Sequence, residues 1–107
     1  MTQCTFFREG ERITGFSVSG HSGYAEAGTD IVCAAISAAV GLAEVTINDV
    51  CGAKAKVRVK EQDARITLTL PASCEEEDTI QDVLAGLMVY LVDLRDQYPD
   101  YIEVLEV

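Results

Sequence analysis

Apolar and polar positions follow two rhythms along this chain, and they predict the order β-β-α-β-β-α-β. Residues 2–8, TQCTFFR, and 12–19, RITGFSVS, read as strands, with Phe16 and Val18 on one face and Glu9-Gly10 as the reversal between them. Residues Ile31 to about Val50 form a helix with almost no polar position before Glu44, and Thr29 or Asp30 can cap it. A helix apolar all round is a buried helix. In so small a chain, burial on every side calls for a second subunit as well as the sheet and the other helix, so a homodimer is expected. Gly52 closes this helix as a C′ residue.

The second half repeats the alternation. Residues 53–60, AKAKVRVK, alternate strictly, with Lys54, Lys56, Arg58 and Lys60 on the polar face. Glu61-Gln62-Asp63 turns the chain, and 65–70, RITLTL, returns with Ile66, Leu68 and Leu70 inward. After Pro71, Ser73-Cys74-Glu75-Glu76 matches the capping box S-x-x-E, and Ile80, Val83, Leu84, Leu87, Leu91 and Leu94 mark the buried stripe of a second helix. Pro99 stops that helix, and 101–107, YIEVLEV, reads as a last strand. The predicted fold is α+β, a two-layer sandwich over residues 1–107, with a mainly antiparallel sheet carrying both helices on one face.

Composition narrows the function. At 107 residues the chain holds one core. Its longest uncharged run, Ile31 to Ala43, is too short to cross a bilayer. The N-terminus lacks a basic segment followed by an apolar one, so no signal peptide is predicted and the expected compartment is the cytoplasm. In that compartment the four cysteines read as free thiols. They include no CxxC, and with one histidine in the chain neither a metal site nor a cofactor is expected. A net charge of −10 suits a basic partner better than a phosphate backbone, so no direct nucleic-acid contact is expected.

The candidate chemistry lies in Gly20 to Ser37, GHSGYAEAGTDIVCAAIS. His21 ends a strand, Cys33 sits in the first turn of a helix, and Gly23 and Gly28 keep the loop between them mobile. Free thiols are mostly protonated near neutrality; a helix start and a nearby imidazolium both favour the thiolate. Backbone N–H groups without intrahelical partners at that helix start could also hold an oxyanion. Asp30 fits as the cap, or as the group that orients the imidazole or a substrate amide. Ser37, one turn beyond Cys33, can reach the sulfur or return its hydroxyl to a backbone carbonyl. Taken one by one, each of these residues also has a plain packing or capping role, and Cys4, Cys51 and Cys74 read as packing residues.

The stretch resembles the ribosomal-processing cysteine protease family (Prp), whose members carry sequences such as GHAGYAEYGKDIVCAAVS, and the likeness extends over the whole length. The resemblance implies a Cys–His dyad protease with Cys33 as nucleophile and His21 as general base and acid, supported by Asp30 and Ser37. It implies removal of the N-terminal extension of large-subunit ribosomal protein twenty-seven after paired phenylalanines, by a homodimer. A loop with Gly20, Gly23, Tyr24 and Gly28 would then close over the peptide. Ser22 stands where alanine is commoner, Ala27 where a larger residue is found, and Thr29 in place of lysine or serine. The alternative is a non-enzymatic ribosome-associated binding module that keeps the fold.

Overall fold

A computed structural model describes residues 1–26 and 28–107; Ala27 lies outside the described residues. The elements run β1 (Thr2–Glu9), β2 (Arg12–Ser19), α1 (Ile31–Val45, continued by a π-helical turn Thr46–Val50), β3 (Lys56–Lys60), β4 (Arg65–Thr69), α2 (Glu77–Gln97) and β5 (Ile102–Glu106). They form one sheet in the order β3-β4-β2-β1-β5, antiparallel except where β5 lies parallel to β1.

That order explains why both helices share a face. α1 joins the parallel strands β2 and β3, with β4 between them, and α2 joins the parallel strands β4 and β5. The two crossovers run in opposite directions across the sheet and leave from oppositely directed strands. A single right-handed sense therefore brings them to the same side.

Between the layers, Phe6 and Phe16 face each other across β1 and β2, their ring centroids 6.0 Å apart. Above them α1 buries Val32, Ile36, Val40, Ala43 and Ile47, and α2 buries Ile80, Leu84, Leu87, Leu91 and Leu94. Both sets recur at helical spacing, and fully burying each such side chain contributes about 1.5–3 kcal/mol. Gly15 in β2 is required by close approach, because a Cβ there would stand 2.2 Å from the Leu68 carbonyl oxygen.

Several expectations need correction. The helix from Ile31 to Val50 is continuous but not α-helical throughout. Its last turn widens, with the Cys51 amide reaching the Thr46 carbonyl (2.9 Å) while the Thr46 hydroxyl donates to Leu42 O (2.7 Å). By length and composition this 20-residue helix could cross a membrane, with mean hydropathy 1.8. Here it packs on α2 and leaves Ile31, Leu42 and Val45 exposed on its far side and Val50 exposed at its end. A single chain thus does not bury it all round.

The strand expected over 53–60 begins only at Lys56. Asn48 brackets Ala55, accepting from its amide (2.8 Å) and donating to its carbonyl (3.2 Å), and Lys54 has φ 57°, outside any strand. β3 is an edge strand that the helices do not cover well, and Val59 is exposed.

The Ser73 capping box does not form. α2 starts at Glu77, and Glu76 stands at its N-cap without a side-chain bond. Arg12 holds this corner instead, with Nε 2.8 Å from Glu77 Oε2, and Nη2 donating to Glu77 Oε1 (3.1 Å) and Pro71 O (2.7 Å).

Candidate active site

The end of β2 and the start of α1 meet in a cleft of about 400 Å³. Gly20 carries the chain out of the sheet with φ 84°, and a Cβ there would lie 2.9 Å from the Met1 carbonyl oxygen. Only glycine fits both conditions. His21 follows it, exposed, on the cleft wall.

The loop returns through Gly23 and Gly28 (φ 78° and 89°) to Asp30, which caps α1. Asp30 Oδ1 accepts from the amides of Val32 (3.0 Å) and Cys33 (2.9 Å), and Oδ2 from Ser22 Oγ (2.5 Å) and the Ala25 amide (3.2 Å). Burial alone would favour the neutral acid. The hydrogen bonds from Ser22 and from the Cys33 and Ala25 amides outweigh it and hold the carboxyl well below the usual carboxylate range.

One face of α1 runs along the cleft, with Cys33, Ser37, Gly41 and Glu44 at helical spacing. Val18, Ile36, Val40 and Ile66 make its apolar walls, and Thr2 and Ala64 complete the lining. The Thr2 hydroxyl is buried there with no hydrogen-bond partner among the described residues. Glu44 is half-buried in this apolar setting.

The structure therefore brings Gly20, His21, Cys33 and Ser37 to one cleft, with Asp30 beneath the helix turn that carries Cys33. Gly23, Tyr24 and Gly28 are not part of the lining. Tyr24 packs edge-on against Tyr98 and Tyr101, at 5.4 and 5.3 Å between centroids. Among the described residues, the hydrogen bonds at the Cys33 sulfur involve Ser22, not His21 or Ser37.

The expected oxyanion donors are already engaged. The amides of Val32 and Cys33 go to the Asp30 side chain, and that of Ala34 to the Asp30 carbonyl. Ser22 and Glu44 went unnoticed as site residues. Glu44 announced itself only as the first charged residue of an apolar helix, and Ser22 only as a departure from alanine.

All four cysteines are free. Burial pushes the Cys4 thiol up to about 12, which makes it inert near neutrality. Among the described residues, no group of three or more His, Cys, Asp or Glu side chains converges as a metal site would require.

A thiol in the first turn of a capped helix, sharing an apolar cleft with an imidazole on a strand end, is a layout suited to a cysteine peptidase. The profile of the family described as cysteine protease Prp matches residues 1–103, so the chain belongs to the Prp family of cysteine proteases. The ribosomal processing cysteine protease Prp of Bacillus subtilis is 28% identical, over 97% of this chain and 96% of its own. The fold is shared with the ribosomal processing protease Prp from S. aureus in complex with a covalently linked product peptide (TM-score 0.90, 20% identity, 100% of both chains). It is shared too with a Streptococcus mutans protein (TM-score 0.88, 21% identity, 100% of this chain and 94% of that one).

Proposed function

We propose that this protease processes a ribosomal protein, removing the N-terminal extension of large-subunit ribosomal protein twenty-seven, with Cys33 as nucleophile and His21 as base and acid. The observation that carries the reading is the shared cleft: Cys33 and His21 line one largely apolar cleft of about 400 Å³. Val18, Ile36, Val40 and Ile66 suit aromatic side chains next to the scissile bond. The names of the Bacillus subtilis and S. aureus relatives supply the substrate class.

In this reading His21 takes the thiol proton as sulfur attacks the scissile carbonyl, and a carbon–sulfur bond forms. The tetrahedral intermediate collapses with loss of the amine, which receives the proton from His21. Water, deprotonated by the same imidazole, then releases the thioester. Ser37 and Asp30 act in support, Asp30 through the helix turn that carries Cys33. The loop bearing Gly20, Gly23, Tyr24 and Gly28 closes on the peptide, which brings His21 within reach of the sulfur.

The enzyme works in the cytoplasm as a homodimer. The exposed apolar side of α1 and the adjoining groove, with Ala35, Ala38, Ala39, Leu42, Gly86 and Tyr90, form the contact between copies. Small side chains there allow close approach, and Leu42 is 70% exposed in the single chain.

The test incubates the purified protein with the extended ribosomal protein and reads product masses. One cut after paired phenylalanines is expected, absent in Cys33→Ser and His21→Ala. Processing that survives Cys33→Ser overturns the reading.

A further inference from the structure

Ser22 is fully buried, 2% exposed, and lies between the two functional parts of the site. A hydroxyl offers one donor and two lone pairs. Here all three are committed. The proton goes to Asp30 Oδ2 at 2.5 Å, and the oxygen accepts from the Tyr24 amide at 3.2 Å and from the Cys33 thiol at 3.5 Å. Separately, the Ser22 backbone N–H donates to the Cys33 sulfur at 3.4 Å.

We infer that Ser22 is a positioning residue for the nucleophile: its hydroxyl, tied to the Asp30 carboxylate, aims the Cys33 sulfur and holds it in place in the free enzyme. The inference rests on Cys33 being the nucleophile, as proposed above. Its physical basis is the direction of the donors. An O–H bound to a carboxylate is held strongly, because charge-assisted bonds are about twice as strong as neutral ones. That hydroxyl is therefore not free to turn and serve a thiolate. It can only accept, so the Cys33 thiol is turned toward it.

The backbone N–H of Ser22 also reaches the sulfur and is untouched by side-chain substitution. Freeing the sulfur for attack thus requires something to break or outweigh the Ser22 hydroxyl contact, and approach of His21 with bound peptide is the step that does so. The charged and titratable groups that share the site with the sulfur are Asp30 beneath it, His21 at the end of β2, and Glu44 three turns further along the same face of α1. β1 offers Thr2, β4 Ile66 and the turn before β4 Ala64, none of them ionisable.

The test is the rate of iodoacetamide alkylation at Cys33, followed by peptide mass mapping from pH 5 to 9 in the whole protein. Alanine at position 22 removes only the hydroxyl, and Asp30 keeps its three backbone donors, so the fold is retained. Ser22→Ala is expected to alkylate about two- to tenfold faster at pH 7, the worth of one hydrogen bond. Ser22→Thr, which keeps the hydroxyl, is expected to restore the parent profile.

A Ser22 that merely supports the loop lowers the melting temperature of Ser22→Ala and leaves the alkylation profile in place. That result, or slower alkylation, overturns the inference. Because no substrate is used, the outcome is read independently of whether Cys33→Ser abolishes processing.

Discussion

At the scale of single residues, Arg12 and Gly20 carry more than their positions suggest. Arg12 binds Glu77 through two guanidinium nitrogens and the Pro71 carbonyl through one of them. The Arg12 hydrogen bond, ahead of its charge, holds the Glu77 carboxyl below its ordinary value against the effect of burial. Asp30 is lowered as well. A carboxyl depressed in the folded state contributes stability above its unfolded pKa of about 4, lost as pH falls through the folded value. Melting temperature should therefore decline as pH drops below about 4. Arg12→Ala should be less stable by about 1–3 kcal/mol near neutrality and show a shallower acid decline, as read by thermal melts across pH. Gly20→Ala meets both a left-handed backbone and the Met1 carbonyl. It should cost about 1–2 kcal/mol or more, and peptide cleavage should fall at least tenfold because His21 is the next residue.

At the scale of elements, what was legible in the sequence is what local rules govern. Alternation marked the strands, the three-to-four spacing marked α2, an almost unbroken apolar run marked α1, and Thr29-Asp30 immediately before that run marked its start. The failures share one cause: a partner distant in sequence overrode a local preference. Arg12, from β2, settles where α2 begins and displaces the Ser73 capping box. Asn48 grips Ala55 and delays β3. The Ser22–Asp30–Cys33 contact obeys no periodic rule, because it depends on a loop whose path the spacing of glycines does not specify. That loop is pinned by Tyr24, which joins Tyr98 and Tyr101 at the junction of α2 and β5. Edge-to-face aromatic pairs add about 0.5–1.5 kcal/mol each. Tyr24→Ala should release the loop, and KM for the extended protein should rise more than kcat falls, as steady-state kinetics would show.

At the scale of the whole molecule, two surfaces set partners. The apolar side of α1 is the proposed contact between copies. Sedimentation velocity should find a dimer in the parent and a folded monomer in Leu42→Asp; a monomeric parent at micromolar concentration removes that proposal. Charge is unevenly spread, with Lys56, Arg58, Lys60 and Arg65 on the open face of β3 and β4 against a total of −10. The Glu44 carboxylate meanwhile lies in the cleft. Attraction between an acidic enzyme and a basic ribosomal protein is screened over about 10 Å at 0.1 M salt. The kcat/KM for processing should fall several-fold between low and high ionic strength, and rates indifferent to salt would remove electrostatic steering.

The parallel pairing of β5 with β1 also dictates where each end of the chain emerges. Thr2 sits opposite Ile102 and lines the cleft, whereas Val107 bonds to Phe6 and Arg8 toward the other end of β1. Purification handles are thus not interchangeable: residues fused ahead of Met1 would leave beside the mouth of the cleft that holds His21 and Cys33 and could fold back into it. A handle placed after Val107 exits from the opposite rim and leaves that entrance clear.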